Sequence, residues 1–230
     1  MFKWFVDPGH GGRDTGAVGN GLQEKNVTLA IAKKIKSIAE REYEGVQVRL
    51  SRSSDVYLSL NERTRMANSW GADLFTSVHI NAGGGTGFES YVYNGNVSQA
   101  TIAYQNVIHQ EIMKAIGNVR DRGKKRANYA VLRETRMPAL LTENLFIDNP
   151  SDATKLKSEQ FLLQIAHGHV QGIVKAFGLK KKAKPTPSQP QQKVSDGKLY
   201  RVQVGAFANR ENAERLAAEL KKKGYPAIIV

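Results

Sequence analysis

The 230-residue sequence contains no cysteine and no long apolar run. The absence of cysteine excludes disulfide bonds and thiolate ligands, so a metal ion would have to be held by histidine, aspartate or glutamate. No stretch approaches the roughly 20 apolar residues of a membrane-spanning helix. The start also lacks a secretory signal, because Asp7 interrupts the first apolar run. We therefore expect a protein made in the cytoplasm without a signal peptide or membrane span, which needs another agent to release it to any external target.

Acidic residues are scarce in the last part of the chain. Residues 1–179 carry a net charge of +5 and residues 180–230 carry +8, out of a total of +13. Polyanions such as nucleic acid, anionic membrane or cell-wall polymers are natural partners of a basic tail. The alternative is a solvated linker that keeps the protein soluble.

The composition changes abruptly after residue 179. Residues 180–197 contain three prolines and three glutamines but almost no apolar side chain. Such a segment cannot form a core and tends to stay extended. It therefore predicts a linker between one domain at residues 1–179 and a second at residues 198–230.

The first 179 residues alternate short apolar runs with stretches of helical periodicity. The predicted strands are residues 2–6, 46–51, 73–79, 87–93, 129–133 and 139–145. The predicted helices are residues 27–40, 98–116 and 152–178. This alternation predicts an α/β fold, a three-layer domain in which helices flank a central, mostly parallel sheet.

Residues 198–230 predict a small βαβ unit. Apolar and polar residues alternate along residues 199–207, which predicts a strand. Residues 209–223 have one apolar helical face, and residues 225–230 are predicted to form a last short strand. A unit of this length is small for independent stability, since domains below roughly 40 residues usually need additional support.

Two histidines lie at the ends of predicted strands and precede glycines. His10 lies in the run Asp-Pro-Gly-His-Gly-Gly, and His79 lies in the run Ser-Val-His-Ile-Asn-Ala, which three glycines follow. Glycine lets the backbone pass close to a ligand. In parallel sheets ligands bind beyond the carboxyl ends of the strands, so we expect both histidines to hold a metal ion at one rim of the sheet.

Two glutamates are candidates for the remaining roles in such a site. A hydrolytic zinc ion usually has three protein ligands and an open position, and two histidines with one glutamate form a common set. Glu24 is the best third ligand, although an acidic residue favouring a helix N-terminus is the alternative. Glu143 lies in an apolar run, where a carboxylate is unfavourable unless it is paired or near a metal. It is either a general base or a buried glutamate paired with an arginine, and we favour the base.

The other three histidines are weaker candidates. His169 lies on the apolar stripe of its predicted helix, so we expect it to be packed in the core rather than to bind a metal. His109 and His167 lie off the apolar faces of their helices, and we expect both to be solvated.

Together, these segments resemble the zinc-dependent N-acetylmuramoyl-L-alanine amidases of the type 3 family. The resemblance covers about residues 1–178. It includes the runs around His10, Glu24, His79 and Glu143, as well as Arg-Ser-Ser-Asp at 52–55 and Leu-Asn-Glu-Arg at 60–63. Four motifs in this order and spacing are highly specific.

The resemblance implies both a reaction and a set of residues. It implies one Zn²⁺ ion held by His10, Glu24 and His79, with Glu143 as the catalytic acid and base, and substrate contacts from Asn81 and Arg63. The reaction would be hydrolysis of the amide between the lactyl group of N-acetylmuramic acid and the L-alanine of peptidoglycan.

The tail resembles the first half of a sporulation-related repeat domain, which binds peptidoglycan. The expected partners are therefore bacterial peptidoglycan and, through the basic tail, anionic wall polymers, with no nucleic acid. Two settings fit an amidase without a signal peptide. One is a phage endolysin that reaches the wall after holin release, which we favour, and the other is an autolysin of sporulating bacteria that lyses the mother cell.

Two rival functions remain at this point. A different zinc hydrolase of the wall, such as a carboxypeptidase or a deacetylase, would release a terminal amino acid or acetate instead. A wall-binding protein with a structural metal would have no use for a base such as Glu143 beside an open position.

Overall fold

The computed structural model describes residues 1–183 and 203–229. The chain divides into two compact units, Met1–Lys184 and Pro185–Val230. Most of the predicted linker, residues 184–197, lies outside the described residues. Its first residues pair with the segment just after the first helix, where the backbone N–H of Glu44 donates to the carbonyl of Lys180 at 2.9 Å. Within the described ranges, no helix is long and apolar enough to cross a membrane.

The first unit alternates strands and helices. In chain order its elements are β1 (Phe2–Pro8), β2 (Val18–Gly19), β3 (Leu22–Gln23), α1 (Glu24–Glu42), β4 (Val46–Leu50), α2 (Leu60–Trp70), β5 (Leu74–Asn81), β6 (Phe88–Tyr93), α3 (Gln99–Ile116), β7 (Asp121–Ala127), α4 (Ala130–Arg133), β8 (Ala139–Phe146), α5 (Pro150–Leu156) and α6 (Glu159–Phe177).

The main sheet has the strand order β4-β1-β5-β8-β6-β7. The first four of these strands are parallel to one another, β6 is antiparallel to β8, and β7 is parallel to β6. The predicted mostly parallel sheet is thus confirmed. The carboxyl ends of β1, β5 and β8 lie side by side and form one rim of the sheet.

Apolar layers cover both faces of the sheet, because successive side chains of a strand point to opposite faces. Trp4 and Val6 of β1 join a large core that also contains apolar residues of α1, α3 and α6. Phe5, between them, joins a smaller core with Ala67 of α2 and Val131 of α4. The candidate site lies on this second face, next to the rim.

Three predicted elements differ from the structure. Residues 129–133 were predicted as a strand, but Ala130–Arg133 form a helical turn, α4. The main sheet takes its sixth strand instead from β7, which was not predicted. The sequence of β7, Asp-Arg-Gly-Lys-Lys-Arg-Ala, shows no apolar alternation because the strand lies at the edge of the sheet. The predicted helix at residues 152–178 is two helices, since the side chain of Ser158 caps a new N-terminus by accepting from the backbone of Phe161.

Helix α2 was not predicted at all. It begins with a capping box in which Ser59 and Glu62 bond to each other's backbone N–H groups. Its apolar face is short and includes a buried arginine, Arg63. The helical periodicity is therefore too weak to detect in the sequence.

The second unit contains one helix in its described residues, α7 (Arg210–Lys222), where the sequence predicts a helix. The predicted strands beside it are not formed at residues 203–207 and 225–229, and residues 199–202 lie outside the described part. A strand needs a hydrogen-bonding neighbour to persist. No residue of α7 is buried, so this segment offers little core against which strands could pack.

Candidate active site

The turn after β1 brings His10 to the rim in a constrained conformation. The backbone N–H of Gly9 continues the strand pairing by donating to the carbonyl of Val78 at 3.0 Å. His10 then takes a φ of 61°, which is uncommon for a residue other than glycine. A Cβ atom on Gly9 would lie 2.3 Å from the imidazole of His79, so glycine is required for the two segments to approach.

Arg63 fixes the turn after β1 through hydrogen bonds. Its Nη1 donates to Asp7 Oδ1 at 2.7 Å and to the carbonyl of Pro8 at 2.8 Å, and its Nη2 donates to the carbonyl of His10 at 2.8 Å. Burial raises the pKa of Asp7, but the charge of Arg63 and hydrogen bonds from Ser51 and Arg63 outweigh burial and lower it. Arg63 lines the site, yet most of its donors are used to fix the turn, and its substrate role stays a prediction.

Glu24 reaches the rim because the β2–β3 hairpin returns the chain to the start of α1. Its Oε2 accepts from the backbone N–H of Ala17 at 2.9 Å, and its Oε1 accepts from the backbone N–H of Ile80 at 2.9 Å. Burial raises the pKa of Glu24, but hydrogen bonds and charges from His10 and His79 outweigh burial and hold it well below its usual range. Glu24 therefore begins a helix, as the alternative predicted, and also faces both histidines.

The three predicted ligands come together in space. Candidate ligand atoms of His10, Glu24 and His79 all lie within 4.8 Å of one another. Glu24 Oε2 is 3.2 Å from His10 Nε2, and Glu24 Oε1 is 2.9 Å from His79 Nδ1. Burial lowers the pKa of both imidazoles, but the carboxylates around them outweigh burial and raise it.

Asp14, which the sequence analysis did not single out, completes this arrangement. Both of its carboxylate oxygens lie 2.9 Å from His10 Nδ1, which leaves Nε2 directed toward Glu24. Metal-binding histidines usually donate a hydrogen bond from their second ring N–H to a carboxylate in this way. Two imidazoles and one carboxylate form a ligand set that fits a catalytic zinc ion, and Asp14 supports one of the imidazoles. The signal available in the sequence was an aspartate four residues after His10 in the same glycine-rich turn.

Glu143 lies beside the cluster on β8, where it is the register partner of His79 on β5. Among the buried side-chain atoms of the described residues, its Oε2 is one of two that have no hydrogen-bond partner. Burial, together with the charges of Glu24 and Glu89, raises the pKa of Glu143 to about 7. No arginine pairs with it within the described part of the chain, which argues against the alternative of a structural ion pair. A carboxyl group with such a pKa both accepts and donates a proton near neutral pH.

A cavity of about 270 Å³ opens at this point. His10, His79 and Glu143 line it together with Tyr57 and Tyr129. Both tyrosines are partly exposed, at 41% and 38% of their surface. The cavity therefore joins the candidate metal ligands and the candidate base to apolar walls that a substrate could contact.

Asn81, predicted to contact substrate, ends β5 at the same rim. Its Nδ2 donates to Glu89 Oε1 at 2.7 Å, and its Oδ1 accepts from the backbone N–H of Ala82 at 2.8 Å. The substrate role of Asn81 stays a prediction. Glu89 gave no signal in the sequence, because its partners are brought to it by the pairing of distant strands.

The remaining histidines have structural surroundings. His169 is fully buried, as predicted, and bonds to Thr142 Oγ1 at 3.1 Å and to the carbonyl of Ile165 at 2.8 Å. The expectation that His109 is solvated is wrong. Its ring is buried between Ser90 at 2.8 Å and Asp121 at 2.9 Å, because the edge strand β7 folds over its polar side.

Comparison with known proteins gives two family matches. The N-acetylmuramoyl-L-alanine amidase family (Amidase_3) matches residues 5–175, and the SPOR domain family matches residues 157–230. The second match begins well before the predicted domain start at residue 198 and overlaps the first match. The predicted boundaries between the domains stay a prediction.

Individual relatives agree with the match to the amidase family. The chain is 53% identical over 230 residues to a sporulation-specific N-acetylmuramoyl-L-alanine amidase of Bacillus subtilis (strain 168), covering 100% of this chain and 85% of that protein. It is 48% identical over 204 residues to an endolysin of Bacillus phage SPP1, covering 87% of this chain and 75% of that protein.

A solved structure shares the fold. The catalytic domain of CwlV, an N-acetylmuramoyl-L-alanine amidase from Bacillus (Paenibacillus) polymyxa var. colistinus, superposes with a TM-score of 0.73 at 35% identity. The superposition covers 78% of this chain and 100% of that domain. From its fold, its sequence match and these relatives, the chain belongs to the N-acetylmuramoyl-L-alanine amidase family.

Proposed function

We propose that this chain is a zinc-dependent amidase that cleaves the bond between N-acetylmuramic acid and L-alanine in bacterial peptidoglycan. The amidase activity follows from the family. The observation that supports zinc and the residue roles is the cluster of His10, Glu24 and His79 beside an unpartnered oxygen of Glu143. His10, Glu24 and His79 would hold the ion, and Asp14 would orient His10.

The chain's own residues account for the proton transfers. When bound, Zn²⁺ supplies a Lewis acid for the scissile carbonyl and lowers the pKa of a water molecule. Glu143 accepts a proton from the attacking water and delivers it to the leaving nitrogen of L-alanine. Tyr57 and Tyr129 line the same cavity and would contact the substrate beside these groups. A serine or cysteine nucleophile is not required, and no covalent intermediate is expected.

Glu143→Gln tests the assignment of the base. The amide keeps the size of the side chain but cannot accept the proton, so we expect turnover to fall by at least about 100-fold. Zinc bound per chain should stay at one, because no proposed ligand changes. Glu159→Gln, at an exposed surface glutamate paired with Lys34, is the matched control and should keep full activity. Full activity of Glu143→Gln would refute its role, and loss of zinc would show that it is a ligand instead.

The biological setting is proposed from the relatives. The B. subtilis relative is named sporulation-specific, and it matches the whole chain at higher identity than the phage endolysin does. This favours an autolysin of sporulating cells over the endolysin that the sequence alone favoured. In both settings the enzyme acts on the cell wall, and the tail binds peptidoglycan, as the SPOR match suggests. Deletion of the gene should delay mother-cell lysis if the autolysin role is correct, and leave it unchanged otherwise.

A further inference from the structure

A basic patch formed by Arg122 and Lys125 lies beyond Glu143 on the same face of the sheet. In the antiparallel pair of β8 and β6, Glu143 stands opposite Glu89, and Leu141 stands opposite Tyr91. Lys125 of β7 is the register partner of Tyr91, and its Nζ lies 5.8 Å from the centre of that ring. The side chains of Arg122 and Lys125 are 26% and 37% exposed, so both reach solvent.

A β-bulge brings the two cations to the same face. Residues three apart in a regular strand point to opposite faces. Here the pairing of β6 and β7 shifts between Phe88 and Ser90, so that two residues of β7, Arg122 and Gly123, oppose the single residue Glu89 of β6. Gly123, inside the shift, has a φ of 87°. Bulges of this kind redirect side chains, and they are frequent beside active sites.

Glu89 fixes the patch without neutralising it. Its buried carboxylate accepts from Arg122 Nε at 2.7 Å, from Lys125 Nζ and from Tyr91 Oη at 2.7 Å. Burial raises the pKa of Glu89, but the hydrogen bonds from Lys125, Tyr91 and Arg122 outweigh burial and lower it. Two cations thus face one carboxylate, and the group keeps one net positive charge.

Arg122 is held so that its outer nitrogens stay available. The guanidinium lies 4.7 Å from the ring centre of Phe146, and its Nε is used by Glu89. Within the described residues, neither of its terminal nitrogens donates to a protein group. A guanidinium fixed on one side with two parallel N–H groups on the other matches the geometry of a carboxylate.

The direction of the reaction decides which part of the substrate meets this patch. The proton from Glu143 goes to the leaving nitrogen, so the departing peptide lies on the Glu143 side of the metal ligands. The side chains of Arg122 and Lys125 both reach Glu89, which stands opposite Glu143 on the neighbouring strand, about 5 Å away. An extended peptide covers this distance in about two residues, at roughly 3.3–3.6 Å each. In peptidoglycan, the residue after L-alanine is a D-glutamate linked through its side chain, whose α-carboxyl group is either free or amidated.

We infer that Arg122 and Lys125 bind this free carboxylate of the departing stem peptide, so the enzyme prefers unamidated stems. The inference rests on the proposed function, since it uses the proton transfer from Glu143 to define the peptide side. Arg122 would receive the two carboxylate oxygens, and Lys125 would add a second positive charge.

Two synthetic substrates test the inference. They are N-acetylmuramoyl-L-alanyl-D-glutamate and its α-amidated form with D-isoglutamine, both with the γ-carboxyl group blocked as a methylamide, so that they differ in one charged group, the α-carboxylate. For the full-length zinc-loaded enzyme we expect kcat/KM to be about tenfold or more higher for the free carboxylate, since hydrogen bonds to charged groups are the strong ones. In the Arg122→Gln/Lys125→Gln double variant, this ratio should fall to near one.

Lys124→Gln is the matched control. Lys124 lies next to the patch on the same strand, but its side chain bonds to Asn106 of α3 on the other face of the sheet. Its variant should keep the wild-type ratio. Because the readout is a ratio of two substrates in one sample, a partly unfolded variant lowers both rates together and does not mimic the result.

Three outcomes would overturn the inference. Equal cleavage of both substrates by the wild type would show that the carboxylate is not recognised. A double variant that keeps the preference would show that other residues recognise it. If the wild type releases no stem peptide from either substrate or from purified peptidoglycan, the proposed function itself fails, and the inference fails with it.

Discussion

Single glycines shape the candidate metal site as much as its ligands do. A Cβ atom on Gly16 would lie 2.6 Å from Glu24 Oε2 and 2.6 Å from the ring of His10. Neither neighbour can move away without leaving the cluster. Gly16→Ala should therefore weaken zinc binding by at least about tenfold, in the range seen when groups supporting metal ligands are changed. Equilibrium dialysis with zinc measures the effect.

Gly21→Ala controls for backbone strain in this experiment. Gly21 also has a positive φ, of 76°, but a Cβ atom there meets nothing within 4 Å. Gly21→Ala should slightly lower the free energy of unfolding and leave the zinc affinity unchanged. If both variants bind zinc equally well, the close approach at Gly16 is not what holds the ligands in place.

His169 makes stability depend on pH. Burial lowers the pKa of its imidazole to about 4, whereas the unfolded chain has the ordinary value of 6.5. Below pH 6.5 the unfolded state binds a proton that the folded state does not bind. The free energy of unfolding should therefore fall by about 2 kcal/mol between pH 7 and pH 5 through this residue alone.

His169→Gln should remove that part of the pH dependence in urea unfolding. The free energy of unfolding of this variant should fall less between pH 7 and pH 5 than that of the wild type, whatever its value at pH 7. An unchanged slope in His169→Gln would contradict the account.

The residues that the sequence revealed are those that follow from local pattern. His10 and His79 each end an apolar strand, and parallel strands bring such ends together. Arg122 could not be predicted in this way. Its position depends on a bulge and on an antiparallel pairing between segments that are far apart in the sequence, and neither leaves a local signal.

At the scale of elements, α6 and α3 pack unusually closely. A Cβ atom on Gly172 would lie 2.7 Å from the Cα of Ile108, and one on Gly168 would lie 2.6 Å from the Cα of Ile112. Alanine in a helix interior normally gains about 1 kcal/mol over glycine. Here the contact is with backbone, and overpacking of this kind typically costs about 1–3 kcal/mol.

Gly172→Ala should therefore lower the free energy of unfolding rather than raise it, by about 1 kcal/mol or more. Urea unfolding measures the change. Gln160→Ala, at an exposed position of the same helix, should change stability by less than about 0.5 kcal/mol. A stabilised Gly172→Ala variant would mean that the helices separate easily, and that the close packing is not essential.

Elements with strong periodicity were predicted well, and edge elements were not. The buried strands β1 and β5 and the helices α1 and α3 match their apolar patterns closely. β7 gives no sequence signal because its exposed, charged residues carry no alternation, and the pattern at residues 129–133 predicts a strand because Ala130–Arg133 is too short to show a helical period. Tertiary contacts decide the structure of such segments.

At the scale of the whole molecule, charge separates the two predicted domains. The catalytic part, residues 1–179, carries +5, and residues 180–230 carry +8. A chain ending at residue 183 should cleave soluble muramoyl peptides at the full rate, because all the proposed site residues lie in the first unit. It should bind purified cell walls more weakly, and its binding should depend less on salt.

A cosedimentation assay at low and high salt measures this difference. Equal wall binding by the short and full chains at all salt concentrations would show that the tail plays no part in binding. Loss of activity on soluble substrates would show instead that the predicted boundary cuts into the catalytic domain.

The most direct test of the account is mass spectrometry of the fragments that the protein releases from purified peptidoglycan, with and without a zinc chelator. We expect stem peptides with a free amino group on L-alanine, released when zinc is present, absent after chelation and restored by added zinc. Fragments whose peptides remain joined to N-acetylmuramic acid, or release that chelation does not affect, would contradict the assignment of this site as a zinc amidase.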